Sequence, residues 1–168
     1  MKKILSNISY DAYSRNFLLI FWVGLLSYTA YGVFSRSVFI DVSFIVFRYT
    51  ENFAEGKGLL FNPGERVEGY TDFLWVFIIG ILKFIGISPV TSALYMGILS
   101  CLGTVVMTYK ITLKMSAGVI PGLLASAAVA SSASLLVWSG GGLETGLYTF
   151  LLTASLFRLS NEFEESNF

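Results

Sequence analysis

The sequence predicts an all-α integral membrane protein: about four transmembrane helices, with further helices lying along its external face. Three observations lead there. Of 168 residues, 55% are hydrophobic and 13% charged, against about a quarter charged in soluble domains, and the mean hydropathy is +0.71. The apolar residues gather into long runs, of which those near 17–34, 90–113, 117–137 and 143–159 approach the ~20 residues that cross a bilayer. Lys110, Lys114 and Arg158 then fall on the same side of those four runs as Lys2, Lys3 and Arg15, as short cytoplasmic loops require.

The first run opens the chain, after "MKKILSNISYDAYSRN". A basic start followed by apolar residues suggests a secretory signal, but the run begins only at Phe17 and no small-x-small cleavage site follows. An uncleaved first span fits better. A fifth run, 73–87, is short, contains Lys83 and stops at "GISP". If it crossed, Lys110, Lys114 and Arg158 would lie outside. If it lies in the interface as an apolar surface helix, those three join Lys2, Lys3 and Arg15 inside. Four spans therefore place the long loop 35–89 and the short loop "WSGGGLE" at 138–144 on one external face, where they can meet.

Within the long loop, residues 43–55 read as an amphipathic helix. Ile45, Tyr49 and Phe53 recur every four residues, and Arg48, Glu51 and Glu55 make the polar face. Asp41 or Ser43 supplies a cap, and Gly56 or Gly58 an end. "NPGE" reads as a turn with Pro63 at its second position. Gly69 permits a bend in the extended link that follows. Small residues in "PGLLASAAVASSAS", 121–134, suit close helix–helix packing.

Composition removes several kinds of chemistry. The chain has no histidine and a net charge of zero, so histidine triads, histidine-held metals and a basic nucleic-acid face are excluded. A single cysteine, Cys101, in an apolar run gives neither a disulfide framework nor a thiolate metal site. Carboxylates, Arg, Lys, Tyr and backbone remain.

Asp41 follows the first span directly. A carboxylate at the membrane boundary can accept a proton from a hydroxyl, or bind a divalent cation beside a phosphate; it can equally cap the next helix. Arg48 offers a planar fork for phosphate oxygens, or an exposed partner for Glu51 or anionic lipid. Glu65, Arg66 and Glu68 fit a solvated turn. Glu144 sits at the start of the last run, where an acidic group marks function by default and also suits a helix dipole.

The stretch "DVSFIVFRYTENFAEGKGLLFNPGERVEGYTDFLW" resembles the first external loop of bacterial GT-C glycosyltransferases. The similar branch is arabinofuranosyltransferase-like and dolichyl-phosphate-mannose-mannosyltransferase-like, with segments such as D-D-A-F-I-S-F-R-Y and G-x-G-L-x-F-N-P-G-E-x-V-E-G-Y-T-N-F-L-W. "WSGGGLETGLYTFLL" resembles their S-G-L-E-T-A-L-F segment. The resemblance implies an N-terminal GT-C module over 1–168 in a cell inner membrane. It further implies transfer of a sugar from a polyprenyl-phosphate donor to a cell-envelope glycan or lipid acceptor on the external face. It puts Asp41 at the catalytic acidic position. Arg48, Glu68, Tyr70 and Glu144 become substrate-binding residues, with a divalent cation as an optional cofactor.

Two positions depart from the family pattern. Val42 stands where a second acid is usual, and Asp72 where Asn is usual. Family members are also several times longer, so the expectation is an incomplete N-terminal part. The alternative class is a small non-enzymatic membrane protein that binds lipid-phosphate sugars or serves as an accessory subunit.

Overall fold

The computed structural model describes residues 2–65, 67–116 and 118–165; Arg66 of the turn cluster lies outside them. All regular structure among the described residues is helical: α1 (Lys2–Ser35), α2 (Asp41–Ala54), α3 (Phe73–Phe84), α4 (Pro89–Ser116), α5 (Val119–Ala130), α6 (Ala133–Gly140) and α7 (Thr145–Glu165).

Helix α4 is the hub and packs against each of the other six. Pro89 opens it, where a missing N–H costs nothing, and the Ser88 hydroxyl accepts from the Thr91 N–H at 3.2 Å. Its threonines turn their hydroxyls onto the preceding turn, Thr104 to Ser100 and Thr108 to Thr104. No hydroxyl of that pair is left bare on an apolar helix. The expected small-residue packing is present between α4 and α5. Gly122 faces the Tyr109 ring, and a Cβ there would sit 2.8 Å from it.

Contacts along the helices fix their directions. Trp22 of α1 meets Tyr109 of α4, ring centroids 4.9 Å apart, while Val33 packs with Cys101, so α1 runs antiparallel to α4. Gly103 faces Phe150, and Lys114 donates to the Ser160 carbonyl and Asn161 Oδ1, both at 2.6 Å, so α7 runs parallel to α4. The chain thus passes between the two ends of the bundle along α1, α4, the α5–α6 pair and α7. Lys110, Lys114 and Arg158 gather toward one end. Helices α2 and α3 and the loop 138–144 occupy the other.

Two helices, over Ser14–Ser35 and Pro89–Met115, are long and apolar enough to cross a membrane, and a third qualifies if α5 and α6 count as one span. The expected run 117–137 is therefore corrected: it is two helices bent by 54°. The break falls at Ser131 and Ser132. Ser131 bonds back to the Ala127 carbonyl at 2.7 Å, and Ser132 caps α6 through the Leu135 N–H at 3.4 Å. Both are side-chain bonds that compete with helix continuation. The run 143–159 forms α7, which is not among the spans that qualify; Arg158 and Glu162 pair on its last turns at 3.1 Å. Helix α3 has 12 residues, ~18 Å at the α-helical rise, short of the ~30 Å hydrocarbon core.

Candidate functional site

Helix α2 starts at Asp41, with Ile40 in the cap position and no side-chain cap. Asp41 is therefore the first helical residue and not the cap, and Ser43 is not the cap either. The buried Ser43 hydroxyl instead donates to the Gly141 carbonyl at 2.6 Å. The fully buried Trp75 of α3 donates its indole N–H to the Gly142 carbonyl at 3.0 Å. Helices α2 and α3 are thus both pinned to a loop 98 and 67 residues further along the chain. Gly142 makes this possible: its φ is +88°, and a Cβ would lie 2.7 Å from Phe39 and 2.9 Å from the Ser43 hydroxyl.

Only Arg48 of the polar face expected for α2 holds the strap that follows the helix; the buried Asn52 and Tyr49, the latter from the expected apolar stripe, hold it as well. Arg48 Nε donates to the Phe61 carbonyl at 3.3 Å. Asn52 donates to Leu60 and Phe61 carbonyls at 2.7 and 3.1 Å. The Tyr49 hydroxyl donates to Val67 O at 2.6 Å and accepts from the Gly69 N–H at 2.9 Å. The expected turn forms, Glu65 N–H donating to Asn62 O at 3.2 Å with Gly64 at φ 92°. That is a type II geometry. Beyond Ala54, Gly56 at φ 74° ends α2 as expected.

Two cavities flank the junction. One, of about 140 Å³, is lined by Val42, Ile45, Tyr70, Asp72, Leu143 and Glu144 among others. The other, of about 380 Å³, lies between α3 and α7 against Leu74, Trp75, Leu147, Tyr148 and Leu151. Asp72 and Glu144 line both, and so stand between them. Asp72 Oδ2 is buried without a hydrogen-bond partner. Burial first, then the charge of Glu144 and a hydrogen bond to its carboxyl when Asp72 is protonated, push the Asp72 carboxyl up to about 6, against a bond to its own backbone. Glu144 stands immediately before α7 in the cap position, its carbonyl accepting from Tyr148 N–H at 2.8 Å.

Of the residues singled out in the sequence, Tyr70 and Glu144 meet at the smaller cavity. Tyr70 stacks edge-on with Tyr49 at 4.7 Å, and burial, then the negative charge of Glu68, pushes its hydroxyl up. Glu68 lines a separate cavity of about 340 Å³ with Lys57 and Tyr70. Asp41 is exposed at the head of α2, next to Val42 of the smaller cavity. Among the described residues no hydrogen bond or ion pair reaches the Asp41 side chain, and no three carboxylate or thiol side chains gather to hold a metal ion. Asp72 carries more of the site's electrostatics than the sequence reading gave it. The available signal was its place directly before an apolar helix, where the resembled family has Asn. Comparison of the chain with protein-family models, with curated proteins and with solved structures found no match.

Proposed function

We propose that this chain forms the N-terminal, acceptor-facing part of a membrane glycosyltransferase of the GT-C kind. In this reading the chain spans the bilayer four times, with the loop 35–89 external, and the sugar comes from a polyprenyl-phosphate donor. The observation that carries the reading is the pinning of "DVSF" and "TDFLW" onto "GGGLE" by the Ser43–Gly141 and Trp75–Gly142 bonds. The two segments that resemble the family become one polar site at a single end of the bundle.

The chemistry then follows from general acid–base rules. Asp41 takes the proton from an acceptor hydroxyl, whose oxygen attacks the anomeric carbon as the bond to phosphate breaks and the lipid phosphate leaves with inversion. Tyr70 and Glu144 offer hydrogen bonds to hydroxyls at the adjoining cavity. Cationic groups that hold the departing phosphate supply much of the rate, and Arg48 and Lys57 are the chain's own candidates.

A second reading, donor binding without turnover, is favoured by the exposure of Asp41. A base usually works from a position fixed by its neighbours. Transfer of a radiolabelled sugar from a polyprenyl phosphate by the full encoded protein separates the two. The enzyme reading expects transfer that Asp41→Asn reduces ~100-fold or more with donor binding intact. Binding with no transfer in either form supports the second reading, and absence of binding removes both.

A further inference from the structure

The cavity between α3 and α7 has a distribution of chemistry that neither reading requires. Its outer wall is apolar and open: Leu74 and Tyr148 are more than half exposed, and Leu151 nearly so. The Asp72–Glu144 pair, which also faces the smaller cavity, and the buried Trp75 line it as well. No described lysine or arginine lines this cavity or the smaller one beyond the pair. An apolar trough with hydrogen-bond acceptors of negative charge in its lining fits an amphiphile with an alkyl chain and a head rich in hydroxyl donors. The same pair disfavours a phosphate head, because like charges must then be brought together away from water. Asp72 Oδ2, which has no donor partner when both carboxyls are ionised, is the acceptor such a hydroxyl would satisfy, since a buried polar atom without a partner is costly.

We propose that this cavity is a binding site for an uncharged, hydroxyl-bearing amphiphile drawn from the bilayer. The alkyl chain lies along Leu74, Leu147 and Leu151, and the head donates hydrogen bonds to Asp72 and Glu144. Under the glycosyltransferase reading this is the acceptor subsite, kept apart from the anionic donor. The site itself rests on the geometry and holds whether or not the chain transfers a sugar.

The test uses Trp75 as a contact reporter, in a chain whose other tryptophans, Trp22 and Trp138, are changed to Phe. The protein is held in amine-oxide micelles, which carry no hydroxyl, and titrated with dodecyl glucoside or dodecyl phosphate, each brominated along the chain to quench indole. At pH 7.5 the glucoside should quench at roughly tenfold lower concentration than the phosphate, the scale set by one buried hydrogen bond gained or lost. Asp72→Asn or Glu144→Gln should narrow that gap to about twofold. Either variant suffices if the other fails to fold. Equal quenching by the two amphiphiles in the unaltered site overturns the proposal, as does a preference that survives both substitutions. No sugar donor is present, so failure here is distinct from failure of the transferase reading.

Discussion

Replacing Asp72 with Asn tests the acidic pair at the junction of α3 and α7. The Asp72 carboxyl is pushed from 3.8 to about 6 in the folded chain, so the folded state holds this proton more tightly than the unfolded one. The sign follows. Stability from the proton is complete below about pH 4 and is lost as pH rises through about 6. The full difference corresponds to ~3 kcal/mol. Asp72 is only partly buried, and solvent screening reduces the contribution to ~1–2 kcal/mol. For a chain of this size that is a fall of ~3–6 °C in Tm between pH 4 and pH 7. Thermal unfolding in neutral detergent micelles from pH 4 to pH 8 reads it. Asp72→Asn cannot titrate, so its curve should lack this descent, and the difference between the two curves isolates the group from other carboxylates. Glu55 shifts the opposite way through its bond to Lys57, and cancels in that difference. A difference curve that is flat, or that rises with pH, refutes the pairing.

Gly142→Ala should destabilise the chain by roughly 3 kcal/mol, from a left-handed backbone and from contact with Phe39 and Ser43. Gly24→Ala, a helical site with nothing within 4 Å of the new methyl, should be neutral or mildly stabilising. Chemical unfolding of the two variants side by side checks the contrast, and equal effects would deny Gly142 its part in the junction. Maleimide labelling should place Glu65→Cys and Trp138→Cys on the external side and Met115→Cys and Phe163→Cys on the other. Cys101 is fully buried and gives a quiet background. Glu65 and Trp138 on opposite sides would break the shared site.

The helical class, the amphipathic α2, the turn at Asn62–Glu65 and the shortness of α3 were all legible, because each rests on local periodicity, glycine and proline. The meeting of the two polar loops was legible too, from the distribution of lysine and arginine alone. Three features were not. Ser43 resembles a cap in sequence, but its hydroxyl is used across the fold on Gly141, and only tertiary contact decides between such uses. Arg48 has a structural use that the sequence does not show, its Nε donating to the Phe61 carbonyl of the strap. The break at Ser131–Ser132 sits in a run whose apolar content is that of a continuous span. Only the serine pair hints that side chains will compete with the backbone there.

The charges at the loop end also constrain how the proposed substrates approach. Asp72 and Glu144 occupy one flank of α2, where α3 and α7 close the larger cavity. Arg48 and Lys57 lie along the strap, and Lys57 pairs with Glu55 there. A polyprenyl phosphate head is anionic and, under the proposed function, is repelled from the acidic pair. A hydroxyl-bearing acceptor has the reverse preference. Asp41, on the first turn of α2, is next in sequence to Val42 of the smaller cavity. Under the proposed function this repulsion is a physical reason for Asp at position 72: an Asn there would lose the charge that turns a phosphate away.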